Sequence, residues 1–508
     1  MENPKRLLLK NIVSNWASMA VSVVIGFFLS PFLVHNLGKA EYGILALVMS
    51  IITYTEFFDV GMRQSLARYL PKYYALKDYL SLNKLVNSSG MIYTAIATLT
   101  VIGTIVIVVF FVEFFKVPEM MVNVMKITLI IMGVNQAFNF LIMPWTALGP
   151  FHRYDLLNGT NIAKSILSAL VTVYFISKGY GIVTIAVITI IFSFLSGIVR
   201  ERMQHSIVPE IRFKIGYIEK GVIRQLLDYG IISFLIVVST IVIFSTDNIV
   251  VGFFLSATAV TYFSIAGTLI THLRMLVNSI GVPLVPAISH LDASSNLDEI
   301  SALYEKLTKY LYYLTISICL GILIFGRQFI YLWMGPDFDQ TVTILYILVV
   351  PATIYLPQMM ANSVLLGIGR LRPLLYILVS EALSNIILSV ILVQIMGIYG
   401  VAWGTAIPQL IIYIFIYPRV FYKAIQGNLK KFYLNSLKMI LSSVIFTLPV
   451  GLSVSRFIRI EGWLGFFINI SITGVFIFAG FVMLVLSPED RGRIFRGKSV
   501  KTMVSNKE

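Results

Sequence analysis

Fourteen times between residues 10 and 486 the chain runs through about twenty predominantly apolar residues and then stops at a short polar connection. A helix of about 20 residues rises about 30 Å, the thickness of bilayer hydrocarbon, so each run is long enough to cross a membrane. No water-soluble fold has the polar surface to cover so many of them. Of the 508 residues, 58% are hydrophobic and 12% charged, and the mean hydropathy is +0.87. The fold expected is an all-α polytopic membrane protein with about 14 transmembrane helices. The runs are too long for barrel strands, which need about 10 residues each. The opening MENPKRLLLK has the charge of a signal-peptide n-region, but the apolar run to Leu33 is too long for an h-region and no small-x-small site closes it. It is read as a first helix that stays attached.

The net charge of +15 is spread over short connections rather than gathered in one patch, so it points to membrane topology and not to nucleic acid. With the N-terminus cytoplasmic, inside segments hold 31 Lys and Arg and outside segments 7, with Arg274 left inside a helix. That bias predicts a multi-pass protein of the cytoplasmic membrane with both termini inside. Cys319, the one cysteine, lies in an apolar run and leaves no disulfide or thiolate metal site within a single chain.

The longest polar interruption, 204–223, separates six helices from the next six. The domains expected are an N-lobe at 1–203, a cytoplasmic linker at 204–223, a C-lobe at 224–423, two further helices within 424–487 and a basic cytoplasmic tail at 488–508. A weak internal repeat supports the lobes. Tyr180-Gly181 aligns with Tyr399-Gly400, Gly61 with Gly281 and Tyr42 with Tyr262, all at nearly the same shift. Six helices per copy is an even number, so the lobes would be parallel repeats about an axis along the membrane normal.

Charges and amides inside the apolar runs carry the functional reading. A charge in hydrocarbon costs about 2.5 to 3.5 kcal/mol, so it usually faces a bundle interior or a wet cavity. The densest stretch is FFDVGMRQSLARYLPKYY, residues 57–74. On one continuous helix over 43–70, Glu56, Asp59 and Arg63 fall at i, i+3 and i+7, within roughly 60° of arc. Asp59 and Arg63 are therefore cavity candidates, with the alternative that they pair or snorkel at the cytoplasmic end. Arg68 and Lys72 are assigned to that interface.

Asn11, Asn15, Ser18 and Ser22 form a narrow polar stripe on the first helix, echoed by Tyr229, Ser233, Thr240 and Asp247 on the seventh. Asp247 has no adjacent cation and reads either as a helix-helix hydrogen-bonding group or as a ligand. Arg274, deep in an expected helix over 258–288, shares a face with Thr271 and Asn278 in a cationic, donor-rich strip. Glu381, with Asn385 one turn on, offers a counter-charge for Arg274 or a proton site. Asp247 and Glu381 are thus the coupling candidates. His272 is read as a satisfied interior histidine. Asn135 with Asn139, and Gln358 with Asn362, are amide pairs of the kind that bind sugar or join helices. Pro351 and Pro357 are expected to kink the helix over 339–366.

The tail segment GRIFRGKS, 492–499, fits the phosphate-loop spacing, but no strand delivers it and only nine residues follow. Its arginines and lysine are read as a juxtamembrane anchor on anionic lipid. The sequons at Asn87 and Asn158 fall at the expected cytoplasmic face and carry no glycan meaning. No catalytic or metal-ligating motif stands out, and no cofactor is expected.

Several stretches carry a resemblance: the basic start, FLSPFLVHNLGKAEYGILAL, DVGMRQSLARY, TDNIVVGFFLSATAVTYFSIA and PLVPAISHL. Together the chain resembles the polysaccharide-transporter branch, with its Wzx-type flippases, of the multidrug/oligosaccharidyl-lipid/polysaccharide (MOP) exporter superfamily. MurJ-type lipid II flippases and MATE exporters are relatives of that branch. The resemblance implies two lobes around a V-shaped cavity lined by the first, second, seventh and eighth helices, with alternating access to the two leaflets. It implies a polyprenyl-diphosphate-linked oligosaccharide as substrate, with the bilayer and other polysaccharide-assembly proteins as partners. Arg274 and Arg63 would then hold diphosphate, and Asn15, Ser18, Asn135, Asn139 and Asp247 would meet sugar. The first helix carries no interior arginine, which departs from the MurJ-type pattern and argues against lipid II. The competing readings are a MATE-like cation-coupled exporter of small molecules and a membrane O-antigen polymerase or ligase. Such enzymes are expected to carry a large extracytoplasmic loop, whereas every outside loop here has roughly 15 residues or fewer.

The topology is testable with single cysteines at Ser206 and Ser505 in a Cys319→Ala background. Both should resist an impermeant thiol reagent in intact cells and react after permeabilisation; labelling of both in intact cells would reverse the orientation.

Overall fold

A bilayer leaves the backbone no water to bond to, so a spanning chain must satisfy its N–H and C=O groups within each segment. The computed structural model describes residues 4–59, 61–281, 284–293, 297–458, 460–487 and 490–491, and these are helical with short connections and no strand. Fourteen spans in it are long and apolar enough to cross a membrane. In chain order the helices are α1 (Pro4–Leu37), α2 (Lys39–Thr53), α3 (Met62–Ala75), α4 (Tyr79–Val106), α5 (Glu119–Ile142) and α6 (Tyr154–Ser177). Then come α7 (Ile182–Ile207), α8 (Lys220–Phe254), α9 (Ala257–Gly281), α10 (Val285–Ala293), α11 (Leu297–Met334) and α12 (Asp339–Gln358). The last six are α13 (Met360–Gly367), α14 (Leu371–Met396), α15 (Ile398–Ile411), α16 (Tyr417–Ile425), α17 (Leu429–Phe457) and α18 (Gly462–Gly480). The chain falls into two compact units, Met1–Thr268 with Leu374–Pro408, and Leu269–Pro373 with Gln409–Glu508.

Three expected helices are interrupted. The run over 43–70 is not continuous: α2 gives way to a 3-10 turn at Tyr54–Asp59, and α3 starts only after Gly61. Gly61 is left-handed, with φ 72°, a conformation that costs a side chain 1–2 kcal/mol and glycine almost nothing. The carboxylate of Asp59 then faces the open N-terminus of α3, with Oδ2 3.5 Å from the Arg63 amide nitrogen. The expected helix over 258–288 ends at Gly281 and is followed by the short α10. The expected kink over 339–366 is a break after Gln358, one residue past Pro357, while α12 continues through Pro351. The phosphate-loop segment 492–499 lies outside the described residues.

In the first unit, α3, α4 and the end of α5 share an apolar core that includes Met62, Leu66, Leu82, Val86, Tyr93 and Phe140. Gly43 of α2 packs so tightly on the Ala257 carbonyl at the start of α9 that there is no room for a Cβ. Polar side chains then fasten the connection between α7 and α8. Asn83 on α4 donates Nδ2 to the Glu210 carbonyl (2.9 Å) and accepts from the Arg212 amide (2.7 Å). One turn on, Asn87 donates to the Arg212 carbonyl (2.9 Å) and accepts from the Lys214 amide (2.9 Å). The registers agree because four residues of helix rise about 6 Å and two residues of extended chain about 6.6 Å. Ser88 Oγ accepts from the Glu219 amide, and Lys84 pairs with Glu219 at 2.8 Å.

In the second unit, α11 packs along α12 and α17, and a row of rings runs through Tyr355, Tyr413, Tyr417, Phe421 and Tyr304, stacked from Tyr413 to Phe421 and tilted at both ends. Asp490, beyond α18, is bound to α11 by the Lys306 ammonium (2.9 Å) and the Tyr310 hydroxyl (2.7 Å), and accepts from Ser487 as well (2.7 Å). The Lys306 bond first, then the two hydroxyls, hold its carboxyl well below the usual carboxylate range.

Two predictions follow from these contacts. Removing the Asn87 amide leaves a carbonyl and an amide of the connection unbonded, at about 1 kcal/mol net for each lost bond. Asn87→Ala should therefore speed trypsin cleavage after Arg212 and Lys214 several-fold in the purified protein, and unchanged cleavage would show the clamp to be idle. A carboxylate with a depressed folded-state pKa stabilises above its unfolded value and loses that contribution as pH falls toward the folded one. The gap in Tm between wild type and Asp490→Asn should thus be constant from neutral pH down to about 4 and narrow only in stronger acid. A gap that closes near neutrality would assign it to another group.

Candidate functional site

The candidate site residues divide between the two units, and each group is described within its own. In the first unit, α14 buries Glu381, Asn385 and Ser389 on one face at four-residue spacing. An α-helix repeats every 3.6 residues, so this pattern is a polar stripe one side chain wide. Asp247, on α8 and 7% exposed, meets that stripe through Thr405 of α15. The Thr405 hydroxyl donates to Asp247 Oδ2 (2.7 Å) and accepts from Asn385 Nδ2 (2.8 Å). Gly404 packs without room for a Cβ on the Ser389 backbone, which brings α15 close enough for these bonds. Asp247 Oδ1 and Asn385 Oδ1 are buried and take no hydrogen bond among the described residues. A carboxylate and an amide, joined through one hydroxyl, thus each keep a buried oxygen with open lone pairs. Oxygen atoms of this kind suit a hard cation, and the carboxylate alone suits a proton.

Asp59 is buried at 9% exposure and accepts from the Tyr93 hydroxyl at 2.8 Å. Arg63 is exposed on α3. With the helix broken at Gly61, the shared arc of Glu56, Asp59 and Arg63 is absent: Asp59 turns into the α4 packing and Arg63 turns out. Asn15 is exposed on α1 and accepts from Asn158 Nδ2 at 2.6 Å; Ser18, one turn on, is half-buried. Asn11 donates to the His152 carbonyl (2.9 Å) and accepts from the Asp155 amide (3.2 Å), while Asp155 is held by Lys10 (2.8 Å) and Arg153 (3.0 Å). Asn135 is buried on α5 with its Oδ1 unmatched among the described residues, and Asn139 is half-buried one turn along. Thr240 bonds back to the Ile236 carbonyl, so its hydroxyl is satisfied within its own helix.

In the second unit, Arg274 and Thr271 are half-buried and Asn278 is exposed, all on the unbroken α9. His272 is half-buried beside them, and its Nδ1 takes no bond among the described residues. Gln358 is buried and donates to the Tyr413 carbonyl (2.9 Å), and Asn362 accepts from the Tyr417 hydroxyl (2.6 Å), so this amide pair joins helices.

Sequence reasoning passed over Asn158, Thr405, Lys164 and Arg200. Asn158 was set aside as a sequon, yet its amide binds Ser14 (3.1 Å) and Asn15 on α1. Thr405 lies 158 residues from its partner Asp247, a distance no local pattern bridges. Lys164 and Arg200 sit near helix ends in the sequence and were counted with the loops. The signal for them was available, since Lys164 follows Asn161 by three residues inside an apolar run.

The profile of the polysaccharide biosynthesis protein family matches residues 8–292. The uncharacterized membrane protein EpsK of Bacillus subtilis (strain 168) is 20% identical over 96% of this chain and 97% of its own. The uncharacterized membrane protein MJ1068 of Methanocaldococcus jannaschii is 22% identical over 81% of this chain and 83% of its own. Among solved structures, the lipid II flippase MurJ in an inward closed conformation superposes with a TM-score of 0.69 at 18% identity, covering 92% of this chain and 97% of that one. An inward-facing MATE multidrug resistance transporter of the MOP superfamily superposes at 0.65 and 13% identity, covering 79% and 95%. These structures share the fold seen here. A family match over more than half of a fourteen-span helical membrane protein leaves one assignment: the chain belongs to the polysaccharide biosynthesis protein family.

Proposed function

We propose that this chain is a flippase that moves a polyprenyl-diphosphate-linked oligosaccharide across the cytoplasmic membrane by alternating access, for cell-surface polysaccharide biosynthesis. The observation that carries the reading is family membership joined to a fold shared with a protein titled lipid II flippase. A lipid-linked sugar needs a polar route for its head while its tail stays in the bilayer, and polar side chains inside the spans supply such a route. The family match favours a glycan over the small molecules of a drug exporter, and favours transport over polymerase or ligase chemistry.

In this reading the lobes are 1–203 and 224–423, joined by 204–223, with helices in 424–487 and the tail 488–508 added, and both termini are cytoplasmic. Arg274 holds diphosphate, with Thr271 and Asn278 beside it, and Asn15, Ser18, Asn135 and Asn139 meet sugar. Asp59 and Arg63 act at the mouth of the route. Asp247, with Thr405 and Asn385, holds the coupling cation or proton, and Glu381 flanks it on the α14 stripe.

Cells lacking the chain should accumulate lipid-linked glycan on the cytoplasmic leaflet, and delivery to the outer leaflet should return with the wild-type chain. Arg274→Ala at matched abundance should abolish that delivery, and Arg274→Lys should keep a fraction, because an ammonium replaces the planar fork only in part. Asp247→Asn should slow delivery at least tenfold while leaving the protein's abundance unchanged. Normal delivery in the strain without the chain would overturn the proposal; full delivery by Arg274→Ala would remove that residue from it.

A further inference from the structure

The α6–α7 pair carries two cations inside its spans. Lys164, ten residues and about 15 Å into α6, donates Nζ to Ser193 Oγ at 2.8 Å. Ser193 is buried and lies close to the middle of α7. Arg200, one to two turns nearer the end of α7, donates Nε to Thr160 Oγ1 (2.9 Å) and Nη2 to Asn161 Oδ1 (2.5 Å). Both cations lie within spans long and apolar enough to cross the membrane, and both are half-buried.

Among the described residues, every hydrogen-bond partner of these two side chains is neutral. Among the described residues neither forms an ion pair. Asn161 and Lys164 are one turn apart on α6, so the two cations are bound at neighbouring levels of the same helix pair. A guanidinium carries five N–H donors and an ammonium three, and only the bonds just given are used. One unmatched cation in hydrocarbon is already costly, and two side by side are costlier. A fold that keeps them at neighbouring levels of one helix pair, held in place by Ser193, Thr160 and Asn161 but not neutralised, is prepared for an anion from outside the chain.

We propose that Lys164 and Arg200 form an anion site within the membrane part of α6 and α7 that takes a phosphate ester. A planar fork beside a point charge suits phosphate oxygens, which accept bidentately from one and singly from the other. A single carboxylate would neutralise one cation and leave the other unmatched, whereas a phosphate monoester or diphosphate carries about two negative charges. The phosphate arrives on a membrane lipid, either the phosphomonoester headgroup of phosphatidic acid or the diphosphate of an isoprenoid carrier. The site does not depend on the flippase reading, since it follows from the α6–α7 contacts alone.

The test uses the full purified chain in neutral detergent and reads the rise in Tm as a probe is titrated. The probes are farnesyl diphosphate and phosphatidic acid, with farnesol and phosphatidylcholine as uncharged and zwitterionic controls. Wild type should be stabilised by at least one anionic probe and by neither control. In Lys164→Gln/Arg200→Gln the half-maximal concentration of that probe should rise at least tenfold, and Arg200→Lys should fall between. Ser193→Asp guards against a variant that fails to fold, because it supplies the missing counter-charge next to Lys164. It should raise the Tm of the probe-free protein and abolish the probe-dependent rise.

A response to phosphatidic acid alone assigns the site to a structural lipid and removes its link to transport. A response to farnesyl diphosphate alone assigns it to an isoprenoid carrier. A wild type indifferent to both anionic probes, or variants with unchanged half-maximal concentrations, would overturn the site.

Discussion

Hydrocarbon solvates no polar group, and this one constraint orders nearly everything in the chain. Each hydroxyl, amide or charge that enters a span must find its partner in protein. The lowest-cost partner is local, and many residues use it: Thr100, Thr104 and Thr128 each return their hydroxyl to the carbonyl four residues back. The next is a neighbouring helix, as where the Tyr93 hydroxyl meets Asp59, or where Thr405 stands between Asp247 and Asn385. What remains after both is the informative set. It includes the open oxygens of Asp247, Asn385 and Asn135 and the Nδ1 of His272, and beside it stand the two cations on α6 and α7, whose partners among the described residues are neutral.

Much of the architecture was legible in the sequence, because span length and apolarity are local properties that the bilayer reads directly. The fourteen apolar runs reappear as fourteen candidate spans. Helix α4 starts at Tyr79 because Asp78 caps it, its carboxylate accepting from the Ser81 amide at 3.0 Å. The misreading at Gly61 has a clear origin. Periodicity treats Asp59 and Arg63 as points on one cylinder, but a single left-handed glycine resets the angle, and the two side chains part. A glycine following an aspartate by two residues was the cue, and it was outweighed by the apolar run around it.

The candidate site was legible only in its ingredients. Asp247, Glu381 and Asn385 could be named because charge and amides inside an apolar run are conspicuous. Their arrangement could not, since it depends on Gly404 allowing α15 against the Ser389 backbone and on Thr405 arriving there from 158 residues away. The same limit hid Lys164. Position in the chain placed it among inward-leading loop charges, and only the neighbouring helix, with Ser193 opposite, turns its ammonium into the packing. Dipeptide-level signals can also mislead by habit: the sequon at Asn158 and the one at Asn87 are both sites of amide bonding.

The connection between α7 and α8 is gripped by Asn83 and Asn87 through main-chain atoms alone, with the side chains of Arg212 and Lys214 exposed. Recognition of that kind is blind to residue identity but strict about spacing. The segment can exchange its exposed side chains without loosening its seat, whereas one inserted or deleted residue between Glu210 and Lys214 moves a carbonyl to where an amide must be. Length is therefore constrained along this stretch while composition is open only at its exposed positions, Ile211 being buried in the core, so its surface can be recoloured for a different environment while its path stays fixed.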